Sequence, residues 1–429
     1  MQFLMFYIFL IAQYALAFDE VILGLYLITT SIFLVMNLLK DHLLYSPAVL
    51  GELLLFSFGL YELHLVNNMP IMAFESKSII VLSIYVWEII CLLNPVKFFL
   101  RNIDLIRWEK GNVNLKYFTY IVFFFSSMLI ISEWIKGGGI PIFRPDMETF
   151  RFKIVYNSII HILAMCIKFI PMFVLIYAKF DVKYLVKKQP GMMLCMIMSL
   201  LLLICTAFRG ELMISITISA LIFLFYKRPK FDVIVKIVVC FAAIMGIYPV
   251  LRSYLLYGNK YILDMMSIST YPKVWFLTPL YQTFASSFHY LNRDFNTFPK
   301  IASFGYGRYT ILANIPFLHA ESLGDAQNRI WNNGFYAELT PTVFGSFYAD
   351  FGYIGCIIGM LLISILCNYL FYKFARRKNI KSMVLYTFVY YKGIQMIYNN
   401  TFDFTALLYY IFIWAMFTFT IKKQKNSEE

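Results

Sequence analysis

Charged side chains are scarce in this sequence. Asp, Glu, Lys and Arg make up 14% of the 429 residues, whereas about a quarter of a soluble domain is charged. Hydrophobic residues make up 61% of the chain, and the mean hydropathy is +0.70. A soluble fold cannot bury so much apolar surface. The composition therefore excludes an ordinary soluble domain and predicts an all-α polytopic membrane protein.

The spacings that would indicate a metal site or a disulfide framework are also missing. The seven cysteines lie in apolar segments without a CxxC pair, and the five histidines are scattered along the chain. Structural zinc sites need closely spaced Cys and His ligands. We therefore expect no metal and no cofactor.

The net charge of +13 has two interpretations. In a soluble protein it would suggest nucleic acid as the partner, but no nucleic-acid motif accompanies it. In a membrane protein Lys and Arg collect in cytoplasmic loops, next to anionic lipid. We therefore expect contact with membrane lipid and no binding of nucleic acid.

Long apolar runs predict about twelve transmembrane helices, because a spanning helix needs about 20 mostly apolar residues. No Lys or Arg precedes Lys40, so the basic start of a signal peptide is missing and the first run is interpreted as a retained helix. The predicted segments are 3–17, 21–39, 48–66, 78–96, 117–133, 155–178, 191–207, 211–226, 233–250, 350–372, 382–398 and 403–421.

Basic residues alternate along these segments and predict the orientation. One set of loops holds 21 Lys and Arg residues, against 6 in the short loops of the other set. Cytoplasmic loops hold the excess of positive charge. Both termini are therefore predicted to be cytoplasmic, in a multi-pass membrane protein.

One predicted outer loop, 251–349, is far longer than the others. It separates nine predicted helices in 1–250 from three in 350–421, and a cytoplasmic tail follows at 422–429. Long ordered loops are usually functional. This one is rich in aromatic residues, so we expect it to fold, with short helices at 281–291 and 311–319 on the membrane surface.

The first candidate site is Phe208-Arg209-Gly210-Glu211, at the predicted outer end of the seventh helix. A charge at this depth is costly and suggests function. The guanidinium of Arg209 can bind phosphate oxygens in a bidentate manner, and Glu211 is a candidate catalytic carboxylate. The alternative is an Arg–Glu pair that only closes a helical turn.

A second candidate is the excess of cations in the predicted outer loops, which an anionic ligand or lipid headgroups would explain. Gly305-Tyr306-Gly307-Arg308 could offer backbone N–H groups and a guanidinium to a phosphate, or could be only a turn. The candidate binding residues here are Arg144, Arg151, Arg252, Arg293 and Arg308.

The third candidate is His319-Ala320-Glu321, since a His beside a carboxylate can act as a general base. The two side chains do not meet on a helix at this spacing, so they would need a loop. A solvated surface pair is the alternative, and His289 is a rival. Asp350 is interpreted either as a helix N-cap or as a catalytic carboxylate.

The stretch TPTVFGSFYADFGYIG at 340–355 resembles the entry to the helix after the large periplasmic loop of O-antigen polymerases, the Wzy-type oligosaccharide repeat-unit polymerases. In that family a Thr-rich segment leads into an aromatic residue, Asp-Phe-Gly and a second Gly. The Phe208-Arg209-Gly210 turn and the predicted topology are similar to the same family.

The resemblance implies a GT-C-like, metal-independent glycosyltransferase. It would move a growing glycan from undecaprenyl pyrophosphate to a lipid-linked repeat unit on the periplasmic face of the bacterial inner membrane. Arg209 matches the family's pyrophosphate contact best, and a chain-length regulator is an expected partner. The alternatives are an O-antigen ligase, which transfers to lipid A core, and a flippase or transporter for the same lipid-linked unit.

Overall fold

The structure is a computed structural model of the whole chain, and it is almost entirely helical. It describes residues 20–40, 46–67, 70–93, 112–144, 150, 158–227, 232–234, 236, 254, 258–270, 273, 275, 278–315, 318, 321–331, 339–377, 379–398 and 404–420. Within these ranges no β-strand occurs, and one isolated bridge joins Val66 to Ser269.

The helices are labelled in chain order. They are α1 (Glu20–Lys40), α2 (Ala48–Glu62), α3 (Phe74–Leu93), α4 (Val113–Gly137), α5 (Ser158–Ala164), α6 (Ile170–Tyr177), α7 (Val182–Lys188), α8 (Pro190–Cys205), α9 (Arg209–Lys227), α10 (Asn259–Ile268), α11 (Thr278–Thr297), α12 (Leu323–Trp331), α13 (Thr342–Arg377), α14 (Ile380–Gln395) and α15 (Phe404–Thr420).

Helices occupy ten of the twelve predicted transmembrane segments. The segment at 3–17 and nearly all of 233–250 lie outside the described residues. Four stretches are long and apolar enough to cross a membrane: Val113–Phe143, Ile159–Tyr177, Gly210–Lys227 and Thr342–Arg377. A fifth is the bent pair α7 and α8, if it forms one span. The architecture is that of a helical multi-pass membrane protein.

The chain divides into two compact units. Unit 1 comprises Met1–Phe98, Pro229–Phe371 and Lys392–Thr401, and unit 2 comprises Phe99–Arg228, Tyr372–Tyr391 and Phe402–Glu429. Each unit is built from three separate stretches of the chain. The predicted division was instead a series of consecutive segments that end at residues 250, 349 and 421.

In unit 2, α4 has an end signal on each side. The Asn112 side chain accepts a hydrogen bond from the N–H of Leu115 at 3.0 Å, which satisfies a free donor of the first turn. Gly138 ends the helix with φ 83° and donates its N–H to the carbonyl of Ile135. These caps fix both ends of α4, and Glu133 lies about one turn before its C-terminus.

The predicted segment 155–178 is not one continuous α-helix. A 3₁₀ helix at Met165–Phe169 separates α5 from α6. Pro171 follows, and it has no N–H to donate to the carbonyl four residues earlier, which explains why the α-helical ladder is interrupted. Lys168 lies in the 3₁₀ helix, and such an insertion within a helix often marks a functional position.

In unit 1, two glycines let α1 and α2 approach closely. A Cβ at Gly24 would lie 2.7 Å from the carbonyl oxygen of Gly59, a contact that larger residues would prevent. On another side of α2, Phe58 packs on Phe288 of α11 with ring centroids 5.4 Å apart. The long predicted loop is therefore anchored on the helical core of its own unit.

The segment 251–349 contains α10, α11 and α12. The helix predicted at 281–291 is confirmed by α11. The helix predicted at 311–319 is wrong in its described part, which forms only a short 3₁₀ turn at Leu312–Asn314. The helix predicted from residue 350 begins earlier, at Thr342. The prediction missed its first turns because they contain polar residues and a glycine and do not form an apolar run.

Helix α13 is interrupted at Gly352, which has φ 65° and ψ −155°. This conformation strains any residue with a side chain. Three residues later, a Cβ at Gly355 would collide with the carbonyl oxygen of Phe347. The two glycines thus have separate backbone roles: Gly352 allows the break in the helix, and Gly355 allows a close backbone approach.

Candidate functional site

Unit 2 brings together a group of titratable side chains near three helix ends, which we call the helix-end cluster: Glu133, His161, Lys168 and Glu211. Nδ1 of His161 lies 3.1 and 3.2 Å from the two carboxylate oxygens of Glu133. The Glu133 side chain is 2% exposed and that of His161 is 18% exposed. A carboxylate only accepts hydrogen bonds, so Nδ1 of a neutral His161 carries the proton.

The second pair of the helix-end cluster joins the 3₁₀ helix to α9. Nζ of Lys168 lies 2.6 Å from Oε2 of Glu211 and 3.9 Å from the centre of the Tyr409 ring. Tyr409 also donates its hydroxyl to the carbonyl of Ile162 at 3.2 Å. The ammonium thus has a carboxylate and an aromatic face around it, as a charge in an apolar segment requires.

Arg209 begins α9 beside this cluster. The preceding Ala207 is left-handed, with φ 58°, and the Phe208 ring packs on the His161 ring at 5.3 Å between centroids. The structure describes the backbone of Arg209 but not its side chain. Phe208 therefore links the predicted phosphate-binding turn to the His161–Glu133 pair.

This arrangement bears on the purely structural interpretation of the Phe208–Glu211 turn. That alternative was an Arg209–Glu211 pair, but the described partner of Glu211 is Lys168. The segment 134–153 and residue 209 were predicted to lie at the outer face from charge alone. The contacts in unit 2 join the C-terminal part of α4 to α5, and the 3₁₀ helix to the start of α9, and the predicted orientation of these ends stays a prediction.

Unit 1 holds a second group, the loop cluster: Arg308, Glu321 and Arg329. Arg329 binds both oxygens of Glu321 at 2.8 and 2.9 Å, and Nη2 of Arg308 binds Oε2 at 3.1 Å. The Arg329 hydrogen bonds, together with the charges of Arg329 and Arg308, lower the pKa of the Glu321 carboxyl. Glu321 is thus held between two arginines, and its predicted catalytic role stays a prediction.

The backbone of Gly305-Tyr306-Gly307-Arg308 does not form an open phosphate nest. The N–H of Gly305 donates to the carbonyl of Ala349 at 2.9 Å, and that of Tyr306 donates to the carbonyl of Asp350 at 3.2 Å. The N–H of Arg308 donates to Gly305. Three of the four backbone donors are occupied, so the segment can offer an anion mainly the Arg308 side chain.

Asp350 is neither an N-cap nor exposed. It lies inside the first part of α13, is fully buried, and accepts hydrogen bonds from the N–H groups of Tyr309 and Thr310 and from the Thr310 hydroxyl, at 3.1, 2.6 and 2.7 Å. The N-cap interpretation is wrong because the helix begins eight residues earlier, at Thr342. Asp350 instead fixes the loop that presents Arg308.

Asp294 is a second buried carboxyl of unit 1. Nε2 of Gln327 on α12 lies 2.7 Å from both of its oxygens. Burial raises the pKa of the Asp294 carboxyl well above its usual range, against the opposing effects of the Gln327 hydrogen bonds and of Arg293. The Arg293 guanidinium lies 3.9 Å from the centre of the Trp331 ring. These contacts hold α12 on α11.

The remaining predicted residues are dispersed. Arg144 is exposed in unit 2 and lies 4.8 Å from the centre of the Phe150 ring. Arg151, Arg252 and His319 lie outside the described residues. The predicted cations are therefore found in both units, with Arg209 and Arg144 in one and Arg293 and Arg308 in the other.

Sequence reasoning missed the partners in both clusters. It singled out Glu211 but not its partner Lys168, and it singled out neither His161 nor Glu133. It also did not single out Arg329. A signal was present, because Glu133, His161 and Lys168 all interrupt apolar runs, and such residues rarely lack a partner.

One of three comparisons with known proteins found a match. No curated protein matches the chain, and no solved structure matches it. Residues 330–410 match a family model described as "Putative O-antigen polymerase". This range contains the 340–355 stretch, with Asp350, Gly352 and Gly355. The match confirms the resemblance of this region to O-antigen polymerases and supports a polymerase-like role in O-antigen synthesis.

Proposed function

We propose that this protein is a glycosyltransferase that polymerises lipid-linked oligosaccharide units on the periplasmic face of the inner membrane. The donor is the growing glycan on undecaprenyl pyrophosphate, and the acceptor is a single lipid-linked repeat unit. The match of residues 330–410 to the O-antigen polymerase family carries this proposal. The apolar composition supports it, since both substrates have long prenyl tails.

The matched region has an architecture that suits a positioning role. Asp350 fixes the segment 305–310 by three hydrogen bonds, and Arg308 lies in that segment with its side chain 46% exposed. A charged group held on a fixed loop loses little freedom when it binds a substrate. We propose that Arg308 and Arg329 contact an anionic part of the glycan or its carrier, with Glu321 as the group that positions them.

The chemistry of the reaction calls for cations near the leaving group. When the anomeric carbon is attacked, the bond to the pyrophosphate breaks and negative charge develops on its oxygen. Guanidinium groups in a water-poor setting stabilise such charge. We propose Arg209 for this contact in unit 2, with Glu211 as the carboxylate that holds Lys168 nearby. The further proposed cations are Arg144, Arg151, Arg252 and Arg293.

Deletion of the gene tests this function. A strain without the polymerase should display lipid A core with a single repeat unit, and the gene in trans should restore long chains. Loss of all repeat units, with long chains retained on the carrier lipid, would instead indicate a ligase. Loss of repeat units from the outer face would indicate a flippase.

A point variant tests the proposed contact. Arg209→Ala should abolish long chains while the protein still inserts, because the pyrophosphate loses its cation. Arg376→Ala is the matched control, since Arg376 is an exposed arginine on the predicted cytoplasmic side. Normal chain length in Arg209→Ala cells would remove Arg209 from the mechanism.

A further inference from the structure

The His161–Glu133 pair has the features of a base that is held ready for proton transfer. Glu133 binds Nδ1 of His161 through both oxygens, which orients the ring and fixes the tautomer. The lone pair of neutral His161 then resides on Nε2. The His161 side chain is 18% exposed, whereas that of Glu133 is 2% exposed, so the carboxylate is buried behind a partly accessible ring.

The surroundings of the pair tie it to the predicted phosphate-binding turn. The His161 ring packs on Phe208, and Arg209 is the next residue. α5 is also held from two sides, since Ser126 donates to the carbonyl of Leu163 at 3.1 Å and Tyr409 donates to the carbonyl of Ile162. A base needs this fixed placement, because small displacements strongly reduce the rate of proton transfer.

We propose that His161 is the general base that deprotonates the sugar hydroxyl of the acceptor, with Glu133 as its positioning residue. This inference rests on the proposed function. The other candidate carboxylates are occupied: Glu211 holds Lys168, and Glu321 holds two arginines. His161 is the histidine of the helix-end cluster.

The proton and electron movements balance without a further reactant. The hydroxyl oxygen forms a bond to the anomeric carbon while its proton moves to Nε2 of His161. The bond from the anomeric carbon to the pyrophosphate breaks, and its electron pair stays on the phosphate oxygen. The imidazolium remains paired with Glu133 until it releases the proton to water or to the departing diphosphate.

The main test is His161→Asn. The side-chain amide of Asn can replace Nδ1–H as the donor to Glu133, but it has no basic nitrogen. The assay uses the full-length protein in lipid nanodiscs, with lipid-linked repeat units extracted from a strain that lacks the gene. We expect kcat to fall at least about 100-fold with KM unchanged. His64→Gln is the control and should keep wild-type kcat.

Two further variants separate a base from a structural pair. His161→Ala should regain activity when free imidazole is added, because a soluble base can enter the space that the ring leaves. Glu133→Gln should lower kcat at least about tenfold without raising KM, since an amide can donate to Nδ1 and hold the wrong tautomer. If the variants only destabilised the protein, imidazole would not restore activity and kcat would not fall separately from KM.

The outcomes are distinct. If the wild-type protein makes no polymer from these substrates, the proposed function fails, and this inference fails with it. If the wild type polymerises and His161→Asn keeps kcat within about threefold, only the assignment of His161 is overturned. Loss of activity in His161→Ala without imidazole rescue, in a variant that unfolds like the wild type, also overturns it.

Discussion

The two clusters use similar ion pairs in different surroundings. In unit 2, Lys168 and Glu211 are 2.6 Å apart, and Lys168 is 2% exposed. In unit 1, Glu321 binds Arg329 and Arg308 at 2.8 and 3.1 Å, but these arginines are 64% and 46% exposed. The distances are alike, so the difference in burial decides what each pair does.

Burial makes each partner in unit 2 dependent on the other, because a lone charge in an apolar setting is strongly destabilising. Exposure makes the pairs of unit 1 weak, because solvent and salt screen them. The guanidinium N–H groups that do not bind Glu321 remain able to bind an anion. The buried pair is therefore expected to stabilise the fold, whereas the exposed group keeps its arginines available to bind an anion.

The largest effect should come from breaking the buried pair. Glu211→Leu leaves the Lys168 ammonium without its carboxylate, and we expect the free energy of unfolding to fall by about 3 kcal/mol or more. Unfolding by SDS in mixed micelles measures it. The double variant with Lys168→Met should recover most of the loss. A cost no larger than that of Glu321→Leu would remove the distinction between the two clusters.

The next effect concerns Asp350, a buried carboxylate that binds a loop rather than a cation. Asp350→Ala removes the acceptor of three hydrogen bonds, and we expect a loss of about 2–3 kcal/mol. Hydrogen exchange at the amides of Tyr309 and Thr310 should accelerate in this variant. Asp350→Asn keeps an acceptor and should show a smaller change. Unaltered exchange in Asp350→Ala would show that other contacts hold the loop.

A smaller effect should follow from pH at Asp294. Burial raises its pKa in the folded protein, so its contribution to stability is fully present below the pKa of the unfolded chain and is lost as pH rises through the raised folded pKa. The slope is at most about 1.4 kcal/mol per pH unit. Asp294→Asn lacks this titration, so its stability relative to wild type should increase with pH. A constant difference across that range would contradict the role of burial.

The smallest effect is expected at Glu321, and its pH dependence has the opposite sign. The arginines lower its pKa, so its stabilisation is present above the unfolded pKa and is lost as pH falls through the lower folded value. Glu321→Gln should cost less than about 1 kcal/mol, and salt should reduce that cost further. A large cost that salt does not change would show that this cluster is part of the structural core.

The apolar runs and the amphipathic pattern of α11 were sufficient to predict most helices, since composition governs what a lipid-facing segment can be. The start of α13 was missed because Thr342, Gly345 and Ser346 lower the local hydropathy. The pairings of His161 with Glu133 and of Lys168 with Glu211 could not be predicted. Periodicity indicates which face of a helix is buried, but not which other helix packs on it.

The interruption at Gly352 has a consequence for the length of α13. An unbroken helix of 36 residues would extend about 54 Å, well beyond the roughly 30 Å of hydrocarbon in a bilayer. From Tyr353 to Arg377 the helix is about 38 Å long, which fits that thickness at a tilt of roughly 40°, the upper end of the range for spanning helices. The break thus divides α13 into a first part that holds Asp350 and a second part whose length alone is sufficient to span a bilayer.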